Sequence, residues 1–202
     1  MKIYLIRHGE TDWNHLNRFQ GREDIPLNEA GIAQAAACGN ALCHTGITAI
    51  YTSPLQRAFR TGEEIGRQTG LGAESVRPME ELIERDLGPF SGKCVENKQE
   101  YFALAAREDV PGMEPFSHVL ERMQEALVLL ARTGCEEVAA VSHGAAINVL
   151  LAGLSNHALG TGKTKLHNGG ISVICGNESE GFRLEQCNLT PQEFCKSRKG
   201  LF

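Results

Sequence analysis

The chain has 202 residues, of which 42% are hydrophobic and 22% charged, and its formal net charge is −5. These values are typical of one soluble globular domain, which we expect to span residues 1–202. No apolar run approaches the roughly 20 residues that a membrane span needs. After Lys2, only residues 3–6 are apolar before Arg7 interrupts, which is too short for a signal peptide. We therefore expect a cytoplasmic protein that does not bind a membrane.

The acidic net charge also argues against a nucleic-acid role, because binding a polyanion normally requires a basic face. The seven cysteines are scattered and include no Cys-x-x-Cys pair, so neither a zinc site nor a redox site is indicated. We expect no metal and no organic cofactor. A small phosphorylated metabolite needs only a local cluster of positive groups, and a mildly acidic protein can carry one. The composition leaves the oligomeric state open.

Short apolar runs alternate with longer amphipathic runs along the chain, which is typical of a mostly parallel sheet covered by helices. The predicted strands are residues 2–6, 47–52, 137–141, 171–175 and 182–187. The predicted helices are residues 29–43, 54–69, 116–133 and 145–154. The last two strands form a hairpin, which places an antiparallel strand on the sheet. The fold class we predict is a three-layer α/β/α sandwich, mostly parallel, with an antiparallel edge strand.

Local signals support two of the helix starts. Asn28 is a favourable N-cap for the helix that follows it, because its side chain can accept from a free backbone N–H. Ser53 and Pro54 form a capping serine followed by proline at the first helical position. Both signals lie in segments that connect predicted elements.

Two predicted strands each end in a histidine followed by glycine. Residues 3–6 lead into Arg7-His8-Gly9, and residues 138–141 lead into Ser142-His143-Gly144. Because ligands of open α/β sheets bind beyond the carboxyl ends of the strands, we expect both imidazoles at one functional edge. Arg57 lies about one turn into a predicted helix, and its side chain should reach back to the same edge.

Two arginines and two histidines at one edge favour phosphoryl chemistry. Arginine forks match phosphate oxygens, and a neutral imidazole can attack phosphorus to give a covalent phosphohistidine. The loops after both histidines lead toward helix N-termini, whose free N–H groups we expect to favour an anion. The leaving alkoxide also needs a proton, for which Glu80, Glu81 and Glu84 are the candidates. Sequence spacing does not choose among these three.

The chain resembles the histidine phosphatase superfamily, the phosphoglycerate-mutase-like family, over nearly its whole length and in that family's motif order. The resemblance rests on three segments: Leu5-Ile6-Arg7-His8-Gly9-Glu10-Thr11, Ser53-Pro54-Leu55-Gln56-Arg57-Ala58 and Ser142-His143-Gly144. It implies that His8 is the residue that becomes phosphorylated. It also implies phosphate-binding roles for Arg7, Arg57 and His143, and makes Gly144 part of the substrate site.

Two further segments carry the resemblance into the loops. Asn14, Gln20 and Gly21 match additional phosphate contacts of the family. Residues 82–92 resemble the segment with the family's proton donor, which selects Glu84, and Arg85 follows a mutase-like pattern as a substrate contact. Residues 110–114 resemble a Gly-Gly-Glu-Ser-type segment of small family phosphatases, including those that act on α-ribazole phosphate, although Met113 and Pro115 depart from it.

Residues 160–164 imitate the end of a nucleotide-binding P-loop. That motif requires an earlier glycine, where this chain has His157, and a preceding strand, where we predict a helix. We therefore interpret Lys163 and Lys165 as residues of a surface loop, from which one lysine could lean toward an anionic substrate.

A phosphatase and a mutase share phosphohistidine chemistry and differ in which hydroxyl accepts the phosphoryl group. The resemblance implies that dedicated mutases carry a long basic insertion after the acid segment. Residues 93–137 instead hold five Lys or Arg against nine Asp or Glu. We therefore favour a phosphatase that acts on a small phosphorylated metabolite, without a metal. The alternatives are a cofactor-dependent phosphoglycerate mutase and a catalytically silent protein that binds a phospho-ligand.

Overall fold

Six strands form one twisted sheet in the computed structural model, which describes residues 1–95, 100, 103–104 and 106–199. The strands are β1 Lys2–Arg7, β2 Ile47–Thr52, β3 Val76–Pro78, β4 Glu137–Ser142, β5 Ile171–Asn177 and β6 Gly181–Leu189. Their order across the sheet is β3-β2-β4-β1-β5-β6. The two strands that end in His-Gly are direct neighbours, with Arg7 paired to Ser142.

The sheet is mostly parallel, as expected. Strand β1 pairs in parallel with β4, which pairs in parallel with β2, and β2 pairs in parallel with β3. The strand that runs in the opposite direction is β5, which lies one position in from the edge because β6 pairs antiparallel outside it. The edge strand β6 thus pairs antiparallel with its neighbour, as the predicted hairpin requires.

Helices cover both faces of the sheet and give the three layers predicted. The helices are α1 Asp12–His15, α2 Glu29–Leu42, α3 Gln56–Thr69, α4 Phe116–Arg132, α5 Gly144–Leu154 and α6 Pro191–Lys199. Ile3 and Leu5 of β1 pack with α4 and α5, whereas Tyr4 and Ile6 pack with α2, α3 and α6. This alternation follows from the two-residue period of a strand, and it makes β1 the centre of both cores.

The structure corrects one predicted helix start and adds elements. Helix α3 begins at Gln56 with Leu55 as its N-cap, and no side chain caps it, so Ser53 is not the cap. Asn28 does cap α2, because its side chain accepts from the N–H of Gly31 at 2.8 Å. Strand β3 and helices α1 and α6 were not predicted, since each is short or, like α6, polar.

A third, smaller cluster of apolar side chains lies beneath the loops at one end of the sheet. Its buried members are Phe19, Leu87, Phe90, Val95 and Met113. The cluster packs the loop after β1 against the segment that follows Glu84. No helix of the described ranges is both long and apolar enough to cross a membrane.

Candidate active site

A cavity of about 300 Å³ opens at the carboxyl end of β1. Four of the residues that the sequence singled out line it together: Arg7, His8, Arg57 and Glu84. They come from the end of β1, the first turn of α3 and the segment after β3. The end of β1 and the first turn of α3 therefore meet at one edge of the sheet, and the segment that carries Glu84 joins them. His143, at the end of β4, is not among the residues that line the cavity.

His8 is held by the strand that precedes it. Its backbone N–H donates to the carbonyl of Ser142 at 3.0 Å, which continues the β1–β4 ladder. In the ring, Nδ1 lies 2.6 Å from the carbonyl oxygen of Gly9. A carbonyl can only accept, so Nδ1 carries the hydrogen. The neutral ring then has its lone pair on Nε2, the nitrogen available to attack an electrophile.

His143 lies against His8, with the two ring centroids 5.0 Å apart. It is fully buried, and neither of its ring nitrogens has a hydrogen-bond partner among the residues that the structure describes. Burial, followed by the charges of Arg57 and Arg7, holds the pKa of His8 well below its ordinary value of 6.5. Burial, followed by the charge of Arg57, lowers the pKa of His143 in the same direction. Both imidazoles are therefore neutral at neutral pH.

The two arginines are fixed by backbone carbonyls. Arg7 donates from Nη1 to the carbonyl of Leu166 at 2.8 Å. Arg57 is fully buried and donates to the carbonyls of Gly21 and Glu23 at 2.8 and 2.6 Å. Such contacts orient the two guanidinium planes at the cavity.

Two glycines allow the loop after β1 to approach the helices. A Cβ atom on Gly9 would lie 2.3 Å from the carbonyl oxygen of Gly31 in α2, far inside contact distance. The N–H of Gly9 also donates to Oγ1 of Thr61 in α3 at 3.1 Å. Gly21 has a φ of 52°, and a Cβ there would meet Oγ of Ser91 at 2.8 Å. Close packing therefore restricts the backbone at both Gly9 and Gly21 to a residue without a side chain.

Glu84 is buried, and its carboxylate accepts three backbone N–H groups. Oε1 accepts from Arg85 at 2.8 Å and from Ala146 at 2.9 Å, and Oε2 accepts from Ala145 at 3.2 Å. Ala145 and Ala146 lie in the first turn of α5. The acceptor for the N–H groups at this helix N-terminus is therefore the side chain of Glu84.

That arrangement corrects the expectation that both helix N-termini hold free N–H groups for an anion. The first turn of α5 is occupied by Glu84. Helix α1 has only four residues and is closed by its own capping box, in which Thr11 and Asn14 bond reciprocally. The positive groups that face the cavity are therefore side chains.

The remaining predicted residues divide between the cavity and the loops behind it. Asn14, Gln20, Gly21 and Gly144 line the cavity. Arg85 does not line it, which contradicts its expected contact with substrate: it is fully buried, lies over the ring of Phe116 and donates to the carbonyls of Arg107 and Glu114. Its neighbour Glu84 faces the cavity, so Arg85 points the other way.

One wall of the cavity, residues 161–168, was anticipated only in part. Lys163 and Lys165 were interpreted from the sequence as residues of a surface loop from which one lysine could lean toward an anionic substrate, and Lys165 lines the cavity with Thr161 and Thr164. The wall is attached to the site because Asn168 donates to the carbonyl of His8 at 3.2 Å, and Asn148 of α5 donates to the carbonyl of Thr164 at 3.3 Å. A further signal in the sequence was Asn148, a polar residue one turn after Gly144 in an otherwise apolar helix.

The opposite wall holds Trp13 and Arg18, which also were not predicted. The guanidinium of Arg18 lies over the indole ring of Trp13 at 4.0 Å and donates to the carbonyl of Gly92 at 2.6 Å. Within the described ranges, no group of three or more His, Cys, Asp or Glu side chains is arranged to hold a metal ion.

The sequence of the chain matches the family model of the histidine phosphatase superfamily, branch 1, over residues 3–190. The chain belongs to this superfamily. The match spans all six strands, and it includes the segments that carry His8, Arg57, Glu84 and His143. Relatives that match the chain carry names of a phosphatase and of a probable phosphoglycerate mutase.

Two curated relatives and one solved structure show the range of this histidine phosphatase's neighbours. It is 34% identical over 188 residues to the uncharacterized phosphatase PhoE of Bacillus subtilis, covering 93% of this chain and 94% of that protein. It is 34% identical over 166 residues to the probable phosphoglycerate mutase GpmB of Klebsiella pneumoniae, covering 75% and 74%. A phosphoserine phosphatase mutant of Entamoeba histolytica, solved with phosphoserine, superposes with a TM-score of 0.76 at 28% identity, covering 94% of this chain and 97% of that one.

Proposed function

We propose that this histidine phosphatase is a phosphomonoesterase that hydrolyses a small phosphorylated metabolite through a phosphohistidine on His8. The observation that carries the proposal is the state of His8: a neutral ring in a cavity with two arginines, its Nδ1–H held by the Gly9 carbonyl. That state is what nucleophilic attack on phosphorus requires.

In the proposed first step, the lone pair of Nε2 attacks phosphorus and the bond from phosphorus to the ester oxygen breaks. Arg7 and Arg57, together with neutral His143, stabilise the charge on the transferring group. Glu84 gives its proton to the departing alkoxide.

In the second step, water attacks the phosphohistidine. Glu84, now a carboxylate, accepts a proton from that water as the new P–O bond forms and the P–N bond breaks. His8 returns to its neutral form, and inorganic phosphate leaves. Asn14, Gln20, Gly21 and Gly144 complete the phosphate site in this proposal, and Arg85 has no part in it.

We favour hydrolysis over transfer to a second substrate hydroxyl because residues 93–137 have more acidic than basic side chains and offer no basic clamp for a carboxylate. Residues 96–99, 101–102 and 105 of that segment lie outside the residues that the structure describes. The relative named as a probable phosphoglycerate mutase keeps mutase activity as the second candidate. We further propose that the protein is cytoplasmic and that it consists of one domain. It works without a metal ion.

The test is a panel of phosphomonoesters assayed for phosphate release: p-nitrophenyl phosphate, phosphoserine, 3-phosphoglycerate and glycerol 3-phosphate. The native protein should release phosphate, and His8→Ala should not. Conversion of 3-phosphoglycerate to 2-phosphoglycerate without phosphate release would establish the mutase instead. Equal turnover by the native protein and His8→Ala would exclude the covalent mechanism, and no turnover on any ester would favour a binding protein.

A further inference from the structure

The segment that carries Glu84 has no regular secondary structure. It begins after a 3₁₀ turn at Glu80–Leu82 and ends before another at Gly88–Phe90. Residues 83–87 between these turns belong to no helix or strand. A side chain on such a segment keeps its place only if other groups hold the backbone on both sides of it.

Two cationic side chains hold the backbone up to and including Glu84. Arg122 of α4 donates from Nη1 to the carbonyl of Glu81 at 2.9 Å and to the carbonyl of Ile83 at 2.5 Å. Arg22, from the loop after β1, donates from Nε to the carbonyl of Glu84 itself at 3.1 Å. Three carbonyls in a stretch of four residues therefore have charged donors.

Glu114 holds the backbone after Glu84. Its Oε2 accepts from the N–H of Asp86 at 3.2 Å, and its own N–H donates to the carbonyl of Asp86 at 2.9 Å. Asp86 is thus bound on both of its backbone polar groups. Glu84 lies between this attachment and the carbonyls that Arg122 holds.

The three side chains are joined in one network around Glu114. Arg122 donates to Oε1 at 2.8 Å and to Oε2 at 3.1 Å, and Nη2 of Arg22 lies 3.3 Å from Oε2. The Glu114 and Arg122 side chains are only 11% and 15% exposed. Burial alone raises the pKa of Glu114, but its bonds to Arg122 and to the Asp86 N–H and the charge of Arg22 lower it overall, so the carboxylate is ionised.

We propose that Glu114 and Arg122 are positioning residues that hold Glu84 where its carboxyl reaches the leaving oxygen. They do not line the cavity, so they act through the backbone of residues 81–86. The inference rests on the proposed function, because it assumes that Glu84 is the general acid. A displacement of the carboxyl of about 1 Å is enough to lower a rate about 100-fold.

The test compares two kinds of ester. The compared quantity is kcat/KM, which covers only the steps up to release of the alcohol or phenol and leaves out hydrolysis of the phosphohistidine. For p-nitrophenyl phosphate, whose phenolate leaves without a proton, kcat/KM reports folding and the competence of His8. For the alkyl ester that the native protein hydrolyses fastest in the panel above, kcat/KM also depends on the proton of Glu84. In Arg122→Met and in Glu114→Gln, kcat/KM should fall at least about 10-fold for the alkyl ester and less than about 3-fold for the aryl ester.

Three further variants separate the explanations. Asp109→Asn, five residues before Glu114, breaks an exposed ion pair in which Nη2 of Arg107 lies 2.8 Å from Oδ2 of Asp109. This control variant should change the activity toward neither ester. Arg122→Lys keeps the charge without the planar fork and should show an intermediate loss. The double variant Glu84→Gln/Arg122→Met should be no slower on the alkyl ester than Glu84→Gln alone, because both changes remove the same proton transfer.

Equal losses on both esters in Arg122→Met and Glu114→Gln would overturn the inference, and so would additive losses in the double variant. Failure of the proposed function gives a different result, since Glu84→Gln alone would then slow both esters equally. If Glu84→Gln discriminates between the esters and the Arg122 and Glu114 variants do not, only the positioning role is wrong.

Discussion

Replacement of His143 by leucine should separate stability from function. The His143 ring is fully buried, and no hydrogen bond to it is found among the described residues. His143→Leu therefore leaves no other described group without a hydrogen-bond partner. It also removes a buried polar ring that itself makes no hydrogen bond to the described residues. Such a group costs about 1–3 kcal/mol. At pH 8 we expect the free energy of unfolding to be unchanged or higher by about 1 kcal/mol.

Acidification should lower the free energy of unfolding of the native protein through the same histidine. The folded-state pKa values of His8 and His143 lie well below 6.5, while the unfolded chain binds a proton at each residue near that pH. Stability is therefore full above about pH 6.5 and falls as the pH drops below it. Each imidazole should therefore lower the free energy of unfolding as the pH falls from 6.5 to 5. The loss should be larger in the native protein, which has both residues, than in His143→Leu, which keeps only His8.

Urea denaturation between pH 5 and pH 8 measures both effects, with His118→Leu, which removes an exposed histidine of α4, as the matched control. Carboxylates contribute equally to both proteins, so the difference in slope isolates residue 143.

In parallel, p-nitrophenyl phosphate turnover should fall at least about 100-fold in His143→Leu, as for other groups that stabilise transition-state charge. A loss of more than about 1 kcal/mol at pH 8, or an unchanged acid slope, would refute the reasoning, because both follow from a buried, unpartnered and neutral ring.

Three other changes test separate parts of the site. Gly9→Ala forces a Cβ to within 2.3 Å of the Gly31 carbonyl oxygen and should lower the free energy of unfolding by about 1–3 kcal/mol in urea titrations. The matched control is Gly144→Ala, whose Cβ would meet its nearest atom at 3.4 Å. Equal stabilities of the two variants would contradict the packing argument. Arg57→Lys keeps the charge but cannot fork between the carbonyls of Gly21 and Glu23, so we expect about a 10-fold loss in kcat/KM and about 1–2 kcal/mol in stability; an unchanged kcat/KM would argue against the fork. Prolonged treatment with EDTA should leave phosphate release unaltered, because guanidinium groups supply the positive charge; activity that is lost and then restored by a divalent cation would mean that a metal takes part.

The fold and the centre of the site were predictable because each rests on a local signal. Apolar runs ending in His-Gly mark the carboxyl ends of parallel strands, and topology then brings those ends together. Pairing of Arg7 with Ser142 in the structure is the direct outcome. Arg57 lines the cavity as predicted, but it is the second residue of α3 rather than one turn into the helix, because α3 begins at Gln56.

The errors arose where tertiary contacts override local pattern. Ser53-Pro54 is a good helix start in isolation, yet α3 begins two residues later because residues 53–55 are still part of the connection from β2. Arg85 follows Glu84 in sequence, and adjacent side chains of an irregular segment need not face the same way. The wall at residues 161–168 has no periodicity of its own, and it reaches the site only through contacts such as Asn168 with the carbonyl of His8.

The helix N-termini show a third kind of limit. Free N–H groups at the start of α5 are a sound general expectation, but the sequence does not reveal that Glu84, 61 residues before Ala145, accepts from them. That contact gives the Glu84 carboxylate a fixed position between the first turn of α5 and the cavity.

The most direct measurement of the central claim is chemical trapping of the intermediate. The native protein mixed with p-nitrophenyl phosphate should be quenched into alkali within milliseconds, digested, and mapped by mass spectrometry under conditions that preserve phosphohistidine. We predict one phosphorylated residue, His8, with the label absent from His8→Ala and retained longer in Glu84→Gln, whose hydrolysis of the intermediate is slow. Phosphate release at the native rate with no label on His8, or a label on another residue, would contradict the account.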